Sequence, residues 1–160
     1  MRRSLAAIPL TLLASAALAL GAAAPASAHA APAAARRHAI VIREIFYNSP
    51  GSDRGSNASL NAEWVKLHNR SGHRVHLTGW TLRDAAHHVY TFGHFILRAH
   101  KSVKVHTGSG RDTRWNVFQG RGWYVWNNTG DRATLRNASG LFRDRCTYSD
   151  PSESFSAVTC

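Results

Sequence analysis

Acidic side chains are scarce in this 160-residue chain: nine Asp and Glu stand against 20 Lys and Arg, a formal excess of +11. Cysteine is scarcer, at two residues, too few for a disulfide-framework miniprotein. Charged residues make up only 18%, which argues against a coiled coil. Twelve Gly and five Pro with no triplet period exclude a collagen-like chain. Beyond residue 28 no stretch approaches the ~18 consecutive apolar residues of a membrane-spanning helix. There is no G-x-x-x-x-G-K-[ST] phosphate loop. Thr107-Gly108-Ser109-Gly110 lacks the leading Gly of a nucleophile elbow. The acids are scattered singly, so paired-carboxylate chemistry has few candidates. The apolar content of 44% is nevertheless too high for disorder. What remains is one compact, basic domain.

The first residues read as an address rather than as fold. Arg2 and Arg3 give a positive start, Leu5 to Ala24 is almost wholly small and apolar, and Ala26-Ser27-Ala28 is a small-residue cleavage signal. Residues 1–28 are expected to be a secretory signal peptide. A membrane anchor is the other reading, but the run is Ala-rich and weakly hydrophobic. Residues 29–37 (HAAPAAARR) read as an Ala/Pro linker, and 38–160 as the domain. Removing 1–28 takes two of the 20 basic residues and none of the nine acids. The product is expected to be secreted, and possible retention at the cell surface is left open. Export changes the meaning of the cysteines. Cys146 and Cys160 would meet an oxidising environment and are expected to bridge. Such a bridge closes a loop of ~15 residues, worth about 3 kcal/mol by chain entropy. The alternative is two free thiols on a loose tail.

From His38 onward the pattern is that of strands. Ile40-Val41-Ile42 and Ile45-Phe46-Tyr47 are rich in strand formers. Val65 and Leu67 alternate with Lys66 and His68. Trp80 and Leu82 alternate with Thr81 and Arg83, and Val103 and Val105 with Lys104 and His106. Trp123 to Trp126 reads as an aromatic strand, and Ser49 to Ser59 as a polar loop. Val89, Phe92, Ile96 and Ala99 also fit helical spacing, against which Gly93 and the β-branched neighbours argue. No other window looks helical. Turn signals recur every ~8 to 12 residues, the spacing of a sandwich or barrel. The expectation is an all-β domain of about seven to nine strands in two sheets.

The order Glu63-Trp64-Val65-Lys66-Leu67-His68-Asn69, Leu77-Thr78-Gly79-Trp80-Thr81-Leu82-Arg83-Asp84, Tyr90-Thr91-Phe92, Val103-Lys104-Val105 and Val125-Trp126-Asn127-Asn128-Thr129-Gly130-Asp131 resembles the lamin-tail domain family. Gly140, Asp144 and Tyr148 close the series. The resemblance covers roughly Ile40 to Tyr148 and implies an immunoglobulin-like β-sandwich acting as a non-catalytic binding or scaffolding unit. Members of this kind usually carry a Pro-Gly turn where this chain reads Arg98-Ala99-His100-Lys101. The extension after about residue 148 lies outside the pattern. Glu63 and Asp84 are expected to accept backbone N–H groups or to pair with Arg rather than to do chemistry.

Of the ten His, His87, His88, His94, His100 and His106, with Asp84, are dense enough to raise a zinc site. Adjacent His on a strand point to opposite faces, so His87 and His88 cannot both bind one ion unless they sit in a turn. No metal, no cofactor and no enzyme activity are expected. The alternative is a small secreted hydrolase of nucleic acid or a phosphoester. The positive excess points to partners. Arg outnumbers Lys by 17 to 3, and Arg suits bidentate contacts with phosphate and carboxylate. Arg111, Arg114 and Arg121 lie among aromatics, a mixture that can hold phosphates while stacking bases. Arg132, Arg136, Arg143 and Arg145 add charge near the C-terminus. These seven are the candidate polyanion-binding residues, with nucleic acid, anionic wall polymer or another secreted protein as partner. Trp115, Trp123 and Trp126 are left open between core and surface.

Overall fold

The computed structural model describes residues 38–160. The expected signal peptide and linker lie outside the described residues. Among those described, no helix is long and apolar enough to cross a membrane.

The chain forms an immunoglobulin-like sandwich. One sheet has five strands: β1 (Ile40–Phe46), β2 (Trp64–Asn69), β7 (Ser102–His106), β8 (Asn116–Phe118) and β11 (Ala157–Thr159), in the order β11-β1-β2-β7-β8. Its pairings are antiparallel except β7 with β8. The second sheet has four: β4 (Thr81–Arg83), β5 (Val89–Thr91), β9 (Gly130–Arg136) and β10 (Phe142–Ser149), in the order β10-β9-β4-β5. The two-residue strands β3 (Val75–His76) and β6 (Ile96–Leu97) pair apart from both. How these shortest pairings are counted separates eleven strands from the seven to nine expected.

The period-two pattern fixes which side chains meet. Ile40, Ile42, Val65, Leu67, Val103 and Val105 from one sheet, and Leu82, Ala133, Leu135 and Tyr148 from the other, are buried in a single core. Leu77, Phe92 and Trp126 fill it from the connections. At that separation the apolar surface of both sheets leaves water together, which is the main favourable term for a fold of this kind.

Several segments differ from expectation. A short helix, α1 (Asn57–Ala62), begins inside the expected polar loop; the Ser56 side chain accepts from the Ser59 N–H and caps it. Six residues are too few for the hydrophobic period to show, so the sequence could not reveal it. Trp123 to Trp126 is not a strand. The backbone N–H of Val125 turns inward to the Glu63 carboxylate instead of joining a ladder. The segment with mixed periodicity forms β5 and β6. Arg98 to Lys101 does turn, with Lys101 N–H donating to Arg98 O, and His100 takes a φ of 57° in place of glycine.

The extension after residue 148 is structural. It returns as β11 on the edge of β1, and Cys146 on β10 bonds Cys160 just past β11. The bridge therefore ties one sheet to the other.

Candidate functional site

The four-stranded sheet turns one face to the core and one to solvent, and register decides which residues share the outer face. On β9, Asp131, Ala133 and Leu135 turn inward, which sends Arg132 and Arg136 outward, with Thr134 between them on the same face but buried under its neighbours. Arg145 on β10 and Arg83 on β4 both pair with Thr134, one from each side. Phe142 and Thr81 flank Arg136, Thr147 faces Arg132, and Val89 faces Arg83. A bulge between Phe142 and Asp144 keeps this phase: Asp144 turns back and accepts the Ile42 N–H on β1 at 2.7 Å. The outer face thus carries Arg83, Arg132, Arg136 and Arg145 around Thr134 and no carboxylate. Arg145 and Arg83 stand two strand spacings apart, roughly 10 Å, and Arg132 and Arg136 roughly 13 Å apart along β9.

The acids that might neutralise these charges are occupied elsewhere. Asp131 accepts from the N–H groups of Ala85, Arg132 and Asn127. Asp84 takes the His88 N–H and ring Nδ1, both at 2.6 Å. Glu63 accepts from Thr107 Oγ1 and the Val125 N–H, and burial pushes its carboxyl up to about 7. Asp150 accepts from Ser154 and Phe155 N–H, bonds that hold its carboxyl below the usual range. Among the described residues the ion pairs are Lys66–Glu44 and His88–Asp84, and neither involves arginine.

The seven predicted arginines do not form one group. Arg132, Arg136 and Arg145 share the outer face. Arg121 lies at its far edge, its Nη2 donating to Val89 O on β5 at 2.8 Å. Arg114, whose guanidinium is 4.8 Å from the Trp115 ring, lines a cleft beside Tyr90 of the same strand. Arg143 is the extra residue of the bulge and lies 5.9 Å over Trp80. Arg111 stands exposed on the β7–β8 loop. Sequence reading missed Arg83, although its alternation with Leu82 carried the signal: the phase that buries Leu82 puts Arg83 beside Thr134.

The outer face of the five-stranded sheet is the competing surface. It bears Lys66 and Lys104 beside Trp64, and Arg43 and Arg70 around His68 and Ser102. Lys66 pairs with Glu44, and Lys104 sits 3.6 Å from the Trp64 ring centroid. Partial burial and the neighbouring Lys66 push the Lys104 ammonium down. Its cations are as many, but they are spread along the sheet and Lys66 is answered by Glu44.

The histidines are dispersed. His87 and His88 occupy the β4–β5 turn, where His87 takes a φ of 77°, and His94 lies beyond the other end of β5. His106 has its two ring nitrogens against Asn61 O and Asn116 Oδ1. Among the described residues no three His, Cys, Asp or Glu side chains come together as a metal site would require. Trp126 belongs to the core, while Trp115 and Trp123 are exposed.

A family model described as Lamin Tail Domain matches residues 33–150. No curated protein matches the chain.

Proposed function

This chain belongs to the lamin tail domain family, an immunoglobulin-like interaction domain, and from that premise we propose that it is an exported module that binds polyanions through the outer face of its four-stranded sheet. The ligands are phosphate-bearing polymers, nucleic acid or anionic wall polymer. The observation that carries the reading is the convergence of Arg83, Arg132, Arg136 and Arg145 on an acid-free face. A rigid sheet holds these guanidinium groups at fixed spacing, so less freedom is lost when each meets a phosphate. Thr81 and Thr147 beside them offer hydroxyl donors. Arginines meeting phosphates make the recognition one of backbone charge, independent of sequence. Arg121 and Arg114 extend the positive surface past β5.

The test is fluorescence anisotropy with a labelled 20-base-pair duplex and with a teichoic-acid-type polyphosphate competitor. Arg132→Gln/Arg136→Gln/Arg145→Gln should weaken duplex binding by about two orders of magnitude, at roughly 1 kcal/mol for each charge-assisted contact. Lys66→Gln/Lys104→Gln should change it by less than about threefold. The reverse ranking would place the interface on the other sheet.

A further inference from the structure

A second surface has the opposite character. The 123–129 segment, Asp53 and Glu153 enclose a cleft of about 350 Å³, near the lower end of the ~300–1,000 Å³ of small-ligand clefts. Two of the nine acids of this basic chain meet there, and neither Asp53 nor Glu153 has a cationic partner among the described residues. Asn128 Nδ2 donates to Asp53 Oδ2 at 3.3 Å. Trp123 is 61% exposed. Gly55 backs its ring so closely that a Cβ there would stand 2.7 Å from Cζ3, and Tyr124 meets it edge-on at 5.5 Å. The indole is therefore a fixed platform rather than a loose side chain. Trp126 also lines the cleft; it is 2% exposed and its indole Nε1–H has no acceptor in the protein.

These groups set requirements on a ligand. Both carboxylates are exposed and accept hydrogen bonds, whereas the Trp126 N–H has no accessible surface and meets no ligand. A phosphodiester has no donor and is repelled by the carboxylates. A quaternary ammonium satisfies the charge and the aromatic face but cannot donate to a carboxylate. Hydroxyl groups donate to both carboxylates, and the C–H face of a pyranose ring matches an exposed indole. We propose that this cleft is a carbohydrate subsite that takes a neutral pyranose unit, stacked on Trp123 and held through Asp53 and Glu153. The site is separate from the arginine face and selects a different chemistry, so the domain has two binding surfaces.

Calorimetric titration of the domain with chitohexaose and with cellohexaose, in about 0.5 M NaCl to suppress polyanion binding, tests this. Saturable binding of at least one is expected, weakened about tenfold or more by Trp123→Ala, by Asp53→Asn and by Glu153→Gly. Glu153 has a φ of 53°, so glycine removes the carboxylate while relieving the backbone, and this variant keeps the fold. Arg132→Gln/Arg136→Gln/Arg145→Gln should leave sugar binding unchanged, which separates the failure of either surface from the other. No heat with either sugar at about 5 mM, binding indifferent to all three cleft substitutions, or saturation by tetramethylammonium chloride in their place would overturn the proposal.

Discussion

Glu63 is fully buried, and its Oε2 has no partner while Oε1 accepts from Thr107 and Val125. Desolvation dominates, and the folded chain holds a proton up to about pH 7, against an ordinary value of 4.5. The unfolded chain releases that proton between those limits. It then binds fewer protons than the folded chain, so stability falls as pH rises from about 4.5 to 7. The difference should be on the order of 3 kcal/mol. Chemical denaturation at pH 5 and pH 8 measures it, and Glu63→Gln should flatten the difference. Equal pH dependence in the variant would assign the effect to another group. Some residue roles were legible beforehand. A carboxylate placed among strand and turn residues is usually an acceptor for backbone N–H, and Glu63 and Asp84 both are. The depth of Glu63 was not legible, because it depends on Thr107 and Val125, which are 44 and 62 residues away.

At the scale of elements, alternation read the long strands well, because each side chain's phase is set by its own neighbours. It failed where long-range contacts choose the conformation. Trp123 to Trp126 has the composition of a strand, but its Val125 N–H serves Glu63 and its Trp126 ring plugs the core. The six residues of α1 are held by the Ser56 cap and by Asn57 and Asn61, whose side-chain amides both donate to Ser109 O. The sequence pattern ended near Tyr148, yet the chain continues into β11. That edge strand pairs with β1 through three residues and is anchored by the Cys146–Cys160 bond. Reducing the bond, or replacing both cysteines by Ala, should cost about 3 kcal/mol. β11 should then detach before the rest of the sandwich unfolds. Hydrogen exchange checks this: Val158 and Cys160 amides should lose protection while Val65 and Leu67 keep theirs. Uniform loss across the sheet would mean that β11 is integral to the cooperative unit.

For the molecule as a whole, the positive excess was evident from composition, but its distribution was not. Composition alone suits a uniformly basic surface as well as a focused one. Register decides the matter, since Arg83 on β4 lies far in sequence from the consecutive strands β9 and β10 that carry Arg132, Arg136 and Arg145, and the four meet around Thr134. Glu63, Asp84, Asp131, Asp144 and Asp150 are spent as acceptors of backbone N–H groups, and none of the acids stands on the outer face of the four-stranded sheet, which leaves its arginines unanswered. The most direct measurement is the salt dependence of duplex binding by the domain and by Arg83→Gln/Arg132→Gln/Arg136→Gln/Arg145→Gln. Four to six phosphate contacts give a log–log slope of about −4 to −5, and each lost contact should reduce its magnitude by about 0.9, leaving the variant near −1. A slope near zero for the parent domain, or the same slope in both proteins, would contradict the assignment of this face.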